Sequence, residues 1–246
     1  MLTNVFIFSG LDDRALSFIE RVSEERTYAE GEHVFREGDP PRWFPILLAG
    51  HVKLWKRAKG EREVILRIVH AGDVFGELAT FSEHPYSASA TTLSPARVLL
   101  IPHDAFLRLF REFPEIGFEL MLDLAARLRL AHDVLHAMAT DSVDRRVAKC
   151  LVRLAERAGN ENGALVRFGF PIRRRDVAAI SGTTVETAIR VLGDFRRHHW
   201  IGGGRRSLEI HDLGALKRFA EEGGMAAGRR GSKSRPANSA PVATHP

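Results

Sequence analysis

The sequence has a single cysteine, Cys150, among 246 residues. One thiol excludes an internal disulfide framework and any metal cluster built only from cysteines of one chain. We therefore look for function in other residue types, and we predict no metal site.

Long apolar runs and the motifs of common enzymes are also missing. No apolar run approaches the roughly 18 residues of a membrane span, and the start, MLTNVFIFSGLDD, lacks the basic flank of a signal peptide. No G-x-S-x-G, H-E-x-x-H or P-loop motif is found, and Gly202 to Gly204 opens no helix. We therefore expect a cytoplasmic protein with no membrane partner, no catalytic residues and no enzymatic activity.

The charge that is present is unevenly distributed. Residues 1–139 contain 16 Lys and Arg against 20 Asp and Glu, a net charge of −4, whereas residues 140–246 contain 20 against 11, a net charge of +9. A basic half that follows an acidic half indicates that the second half meets a polyanion. Double-stranded DNA is the leading candidate.

Two periodicities divide the chain and predict an α+β fold. Between about Gly31 and Pro102, short apolar runs (HVF, PILLA, VKLWK, VILRIV and SARVLLIP) alternate with Gly and Asp-Pro turn signals, which is typical of a small β-sandwich or roll. From Glu115 the apolar residues recur every three, four or seven positions, which predicts one long amphipathic helix. Its stripe could cover the front domain alone or pair with a second copy in a parallel dimer, and we favour the dimer, with the interface lined by Leu120, Leu124, Leu128 and Leu135.

We predict four segments from these patterns. Residues 1–113 form a β-roll effector or sensor domain, 114–139 the dimerisation helix, and 140–222 a DNA-binding domain that begins with a helix over 144–158 and a strand pair in ALVRFGFPI. Residues 223–246 have almost no large apolar residues and are predicted to be a disordered tail.

Residues 173–199 are typical of a helix-turn-helix. Val177, Ala178 and Ile180 face inward on the first helix, Gly182 permits a tight turn, and Thr183 or Thr184 caps the second helix. The inward positions of the second helix are Ala188, Val191, Leu192 and Phe195, which leaves Val185, Glu186, Ile189 and Arg190 outside to read bases.

A purely structural interpretation of these residues is the alternative. Thr183 to Glu186 is a T-x-x-E capping box, and Glu186 and Arg190 have the spacing of a surface ion pair. That interpretation does not explain the arginines that crowd this module, namely Arg173, Arg174, Arg175, Arg190, Arg196, Arg197, Arg205 and Arg206. We predict DNA contacts by Arg173, Arg174, Thr183, Thr184 and the four outer residues, with Arg205 and Arg206 on a wing formed by GGGRRSLEIHD.

Three segments resemble the Crp/Fnr superfamily of bacterial transcription regulators: DVFGELATF (Asp73 to Phe81), LAARLRLAHDVLHAM in the long helix, and SGTTVETAIRVLGDF. The resemblance spans about Phe8 to Phe219 and implies a cyclic-nucleotide-binding-like jelly roll, a dimer helix and a C-terminal winged helix-turn-helix. It also implies a homodimer on a near-palindromic operator with TTGA-like half-sites, and contact with RNA polymerase if the protein is an activator. Ile189 departs from the Ser of the Fnr branch, so the resemblance leaves the neighbouring base open.

The resemblance also places an effector pocket at Gly76, Glu77, Leu78, Tyr86, Ser87, Ala131 and His132. Relatives that bind cyclic nucleotides have a phosphate-binding Arg where this chain has Tyr86, and an adenine-facing Thr-Ser where it has Ala131 and His132. A tyrosine does not supply the fixed charge of a guanidinium, so we expect an effector other than cAMP. The iron–sulfur cluster of Fnr needs several cysteines and is not expected here.

The effector is thus an unknown small molecule or gas. Haem remains an alternative, because seven of the eleven histidines precede residue 140 and one suffices as axial ligand. Nitric-oxide-responsive relatives make a gas-sensing regulator the second hypothesis. A third is a ligand-binding regulatory module that acts through protein contacts, with the basic region serving an acidic partner.

Overall fold

The structure is a computed structural model and describes residues 5–58, 63–82, 84–158, 165–204 and 207–222. The predicted tail at 223–246 and the predicted wing residues Arg205 and Arg206 lie outside the described residues.

The front domain is a β-roll flanked by helices. In chain order its elements are α1 (Asp13–Val22), β1 (Glu24–Tyr28), β2 (His33–Phe35), β3 (Trp43–Ala49), β4 (Val52–Arg57), β5 (Glu63–Val69), α2 (Glu77–Ser82), β6 (Ser89–Thr92), β7 (Ala96–Pro102) and α3 (His103–Glu112). The strands form two antiparallel sheets, with orders β1-β7-β3 and β2-β6-β4-β5. The predicted roll and its apolar strands are confirmed.

The apolar runs in the sequence did not predict two of the strands, β1 and β6. β1 has the sequence EERTY, and its register is set by pairing with β7. β6 is SATT, fully buried although small and polar, because its hydroxyls are hydrogen-bonded. The Ser89 Oγ accepts from the Glu37 N–H at 3.0 Å, and the Thr92 hydroxyl donates to the Ala29 carbonyl at 2.6 Å. Such strands satisfy the rule that buried polar groups need partners.

The long helix α4 (Pro114–Thr140) begins with proline at its first turn, where no backbone N–H is needed. Its inner face packs on the roll: Ile116 and Leu120 are buried in a core with Phe44 and Phe106, whose rings stack at 3.5 Å. Leu120 is only 2% exposed, so the prediction that it lines a dimer interface is wrong. Leu124 is half-buried, whereas Leu128 and Leu135 are exposed.

The predicted DNA-binding domain follows α4 as α5 (Val143–Arg157), β8 (Val166–Arg167), α6 (Arg174–Ile180), α7 (Val185–Arg197), β9 (Ile201–Gly202), β10 (Glu209–Ile210) and α8 (Leu213–Glu222). The short strands form a sheet of order β8-β10-β9, which is the expected wing. The strand pair predicted in ALVRFGFPI is wrong: only Val166 and Arg167 are strand, and Phe168 to Ile172 run irregularly because Phe170 and Ile172 are buried against other elements.

The two domains share a hydrophobic core across one sheet. Ile65 and Ile68 of β5 belong to the same cluster as Val177 of α6 and Phe170. A register shift makes this possible: Leu54 pairs with Arg67 and Trp55 pairs with Ile65, so Leu66 is an extra residue. An extra residue reverses the alternation of side chains, so residues three apart reach the same face of the sheet. None of the helices in the described part of the chain is long and apolar enough to cross a bilayer.

Two glycines in tight turns of the roll, Gly31 and Gly50, have similar backbone angles but different space around them. Gly50 has φ +86°, and a Cβ there would lie 2.8 Å from the Ala96 Cα and closer still to the Pro95 carbonyl, whereas Gly31 has φ +88° with open space around it. We expect Gly31→Ala to lower the free energy of unfolding by about 1 kcal/mol and Gly50→Ala by at least about 2 kcal/mol, because only Gly50→Ala adds a clash with backbone. Urea unfolding of both variants measures this, and equal losses would contradict it.

Candidate nucleic-acid interface

The second helix of the helix-turn-helix, α7, begins at a hydroxyl cap. Thr184 is the N-cap, and its Oγ1 accepts from the Thr187 N–H at 3.2 Å. Thr183 is 9% exposed, and its N–H donates to the Ala178 carbonyl. The capping box of Thr183 and Glu186 is therefore wrong, since Thr184 is the N-cap and its box position is Thr187. The predicted DNA contact of Thr183 stays a prediction.

The inner face of α7 is buried as predicted, at Ala188, Val191, Leu192 and Phe195. This packing leaves the opposite face to solvent. Val185 is 38% exposed and Ile189 43% exposed, and Glu186 and Arg190 are also exposed. Four side chains of mixed chemistry therefore project from the first two turns of one helix.

Glu186 and Arg190 are unengaged. Within the described ranges neither side chain makes a hydrogen bond or an ion pair, although their i, i+4 spacing would allow one. A surface ion pair therefore does not account for them. Free donors and acceptors on an exposed helix face are what contact with base edges requires.

The arginines around this face differ in their engagement. Arg174 is exposed and lines, with Ile189, a cleft of about 140 Å³ between α6, α7 and the wing. Arg173 binds Glu30 of the roll at 3.0 Å, and its predicted contact with DNA stays a prediction. Arg196 donates to the Gly203 carbonyl at 3.1 Å, and Arg197 pairs with Asp194.

The C-terminal end of α4 contacts the turn of the helix-turn-helix. The Met138 Cε occupies the place that a Cβ on Gly182 would take, and Gly182 has φ +62°. Arg146 donates to the Ser181 carbonyl at 3.1 Å and to the Asp141 carbonyl at 3.0 Å. The Asp141 side chain binds Lys149 at 2.7 Å, and that contact lowers the pKa of Asp141. The predicted hinge near Ala139 to Asp144 is thus tied to the DNA-binding domain.

Two residues of the predicted effector pocket, Glu77 and Tyr86, are buried in the roll, and Gly76 is half-buried beside them. Gly76 has φ +77° and lies against the rings of Tyr86 and Phe35, which stack on each other at 3.8 Å. The Tyr86 hydroxyl donates to the Trp43 carbonyl at 2.7 Å, and burial raises its pKa to about 12. A neutral, internally bonded phenol therefore stands where the resemblance implies a phosphate-binding arginine.

Glu77 is the centre of a buried cluster of charges. It is 5% exposed and pairs with Arg127 of α4, which also pairs with Asp123. Beside them Arg67 of β5 binds Asp73 at 2.7 Å and the Val74 carbonyl at 3.0 Å. Burial and the neighbouring Arg127 lower the pKa of Arg67. Sequence reasoning missed both arginines: Arg67 had a signal, a charge inside the apolar run VILRIV, whereas Arg127 is one of several charged residues in α4.

The other predicted pocket residues are not enclosed with Glu77. Leu78 is 61% exposed, and Ser87, Ala131 and His132 are exposed. The single chain therefore brings together Gly76, Glu77 and Tyr86 but leaves the remaining four on the surface.

The seven front histidines occupy separate places. His33 contacts the Thr91 hydroxyl at 3.0 Å, His103 contacts the Thr80 carbonyl at 3.0 Å, and His51 packs against His70. The others are exposed, namely His84, His132 and His136. These seven histidines do not line one shared pocket, so their positions do not point to any one of them as a haem ligand.

A β-roll followed by a helix-turn-helix with such an exposed face is typical of one class of protein, the DNA-binding transcription regulators. The cyclic nucleotide-binding domain family matches residues 25–113, and the Crp-like helix-turn-helix domain family matches residues 145–219. The chain is 33% identical over 220 residues to the CRP-like cAMP-activated global transcriptional regulator of Mycobacterium tuberculosis, covering 89% of this chain and 98% of the relative. It is 30% identical over 218 residues to the cyclic AMP receptor protein of Thermus thermophilus, covering 87% and 96%.

Solved structures show the same fold. The c-di-GMP responsive regulator CLP of Xanthomonas campestris matches with a TM-score of 0.70 at 20% identity, over 81% of this chain and 99% of that one. FixK2 of Bradyrhizobium japonicum matches with a TM-score of 0.69 at 22% identity, over 80% and 96%. The chain belongs to the Crp/Fnr family of DNA-binding transcription regulators.

The Glu77 cluster provides a test of how the roll holds α4. We expect Arg127→Met to lower the free energy of unfolding by about 3 kcal/mol, because it leaves Glu77 buried without its cation. Adding Glu77→Gln to that variant should recover part of the loss, since the buried charge is then gone. Urea unfolding of the two single variants and the double variant measures the coupling, and strictly additive losses would contradict it.

Proposed function

We propose that the protein binds a near-palindromic, TTGA-like operator as a homodimer and that an effector other than cAMP, held in the β-roll, controls this binding. The observation that supports it most is the exposed, unpartnered face of Glu186, Ile189 and Arg190 on α7. The proposal places its action in the cytoplasm, with contact to RNA polymerase if the outcome is activation.

The chemistry of the face matches a half-site with a G·C pair. A guanidinium can donate to guanine O6 and N7 together, and a carboxylate can accept from cytosine N4. The aliphatic Ile189 can contact a thymine methyl group. Arg174 and the N-terminal amides of α7 lie beside this face and suit contacts with phosphate.

A heptad pattern on α4 supports pairing with a second copy. The exposed side of the helix has residues at a and d spacing, facing away from the roll, and their side chains are mainly apolar. The a positions are Phe118, Ala125, His132 and Ala139, and the d positions are Met121, Leu128 and Leu135. A parallel dimer through this seam would cover Leu128 and Leu135, which are 59% and 64% exposed in the single chain.

The effector part of the proposal rests on Tyr86. Two relatives are named for cAMP, yet here the Tyr86 ring is stacked on Phe35 and its hydroxyl is bonded to Trp43. The two largely buried arginines beside Glu77, Arg67 and Arg127, are paired with carboxylates. A cyclic phosphate would have to displace these contacts, so we propose a different small molecule or a gas, with haem as a possible carrier for a gas.

The operator contact is tested with Arg190→Ala. We expect the variant to lose about 1 to 3 kcal/mol of binding to the selected operator and to lose its preference at one base pair per half-site. Binding-site selection from random duplexes, followed by retardation assays at fixed salt, measures both effects. Arg197→Ala is the matched control, because Arg197 lies on the same helix but is paired with Asp194.

Two results would contradict this proposal. A purified dimer that selects no palindrome above non-specific binding would overturn the operator part, and tighter operator binding upon addition of cAMP would overturn the effector part. Equal affinity for all duplexes and for acidic proteins would favour the module that acts through protein contacts.

The dimer seam is tested on the same helix. We expect Leu128→Asp and Leu135→Asp to shift the protein from dimer to monomer in sedimentation equilibrium, because each places a charge in the apolar seam. Leu130→Asp is the control, since Leu130 is 42% exposed but lies outside the heptad positions. A dimer that all three variants preserve would place the interface elsewhere.

A further inference from the structure

Three rings from both domains meet at the interface between them. His51 follows β3, His70 follows β5, and Phe170 belongs to the segment between β8 and α6. The ring centroids of His51 and Phe170 are 4.2 Å apart, and those of His51 and His70 are 5.3 Å apart with the rings nearly perpendicular. Gly169 also lies against the His51 ring. The two imidazoles therefore form part of the surface on which the DNA-binding domain rests.

The cluster accommodates neutral imidazoles. The His51 Nδ1 and the His70 Nε2 are buried and have no hydrogen-bond partner among the described residues. An imidazolium carries an N–H on both ring nitrogens, so each of these atoms would need an acceptor. Protonation would therefore bury a charged donor without a partner.

The net effect of the charges around His70 also favours the neutral imidazole. His70 is faced by Arg157 of α5, by Arg67 and Asp73 of the roll, and by His51. Burial, together with Arg157 and His51, lowers the pKa of His70 from 6.5 to about 4, against the opposing effect of Asp73. For His51 burial alone lowers the pKa.

We propose that His51, His70 and Phe170 form an acid-sensitive latch, which holds the DNA-binding domain on the β-roll and releases it when the two histidines are protonated. The latch is a property of one chain and does not rest on the operator, the dimer or the effector. It would make the position of the reading helix relative to the roll depend on pH.

The sign of the effect follows from the two states. In the released state the rings are exposed and take up protons near pH 6.5, whereas in the docked state His70 takes one up only near pH 4. Docking is therefore strongest above pH 6.5 and weakens as the pH falls from 6.5 toward 4. At a pH of about 5.5 the docking equilibrium should fall about tenfold from His70 alone.

A third histidine lies near the same interface and must be separated from the latch. His33 lines a cleft of about 300 Å³ together with Arg173 and Asp176 of the DNA-binding domain. Burial and the nearby Arg36 and Lys53 lower its pKa, but its ring is hydrogen-bonded to Thr91 within the roll. The latch therefore predicts that His33 has no part in the release.

The experiment is small-angle X-ray scattering on the full chain at pH values of about 7.5 and 5.5, with circular dichroism at both to confirm that the fold is retained. We expect the radius of gyration to rise at the lower pH. The double variant His51→Phe, His70→Phe keeps the rings and removes the titration, so it should stay docked at both. His70→Lys should be released already at the higher pH. His33→Phe and His84→Phe should respond to acid as the unmodified chain does.

Each remaining outcome overturns the latch. It fails if acid leaves the radius of gyration unchanged, if the double Phe variant opens as the unmodified chain does, or if His33→Phe abolishes the response. A second measurement guards against variants that do not fold: the His70 ring, followed by NMR in the unmodified chain, should titrate well below 6.5. Titration at the ordinary value with the domains docked would equally refute the proposal.

Discussion

The arrangement of both domains depends on the sheet β2-β6-β4-β5, which is hydrophobic on both faces. Its inner face, with Val52, Val69 and Ala90, closes the roll, and its outer face presents Ile65 and Ile68 to the core of the DNA-binding domain. An antiparallel sheet ordinarily leaves one face to water, and here a single extra residue, Leu66, turns both isoleucines outward. Burial of these two side chains makes this sheet of the β-roll part of the hydrophobic core of the DNA-binding domain.

Charge, by contrast, joins the roll to α4. Glu77, Asp123 and Arg127 form one group, and Arg67 with Asp73 forms another beside it. Buried ion pairs add little net stability, but the loss of one partner is costly because a charge is left without compensation. A group with that property is suited to hold a helix in one register.

The sequence predicted the parts of the fold that follow hydrophobic period. The apolar strands, the long helix and the inner face of α7 are found where the alternation of residues placed them. β1 and β6 were missed because their polar residues are held by pairing with distant strands. The predicted repeat of apolar residues along α4 was correct, but the prediction of which residues face a second copy was wrong for Leu120. Leu120 and Leu128 both belong to the apolar repeat, and only the packing of the roll decides which of them is covered.

The site was predictable to a similar degree. The exposure of Glu186, Ile189 and Arg190 on one face follows from spacing within one helix, so it could be predicted from the sequence, whereas their contact with bases stays a prediction. The choice between Thr183 and Thr184 as cap depended on the backbone of the turn. The contacts of Arg173 with Glu30 and of His51 with Phe170 join residues more than a hundred positions apart, and no local pattern indicates them.

The contact between Met138 and Gly182 makes α4 a lever. The helix has 27 residues and spans about 40 Å, and its far end touches the turn that sets the direction of the reading helix. A tilt of a few degrees at the N-terminal end, where the roll grips the helix, would move that turn by several ångströms. In the homodimer that we propose, the two half-sites would be separated by a helical repeat of about 34 Å, so a displacement of this size would decide whether two copies of α7 reach successive major grooves together.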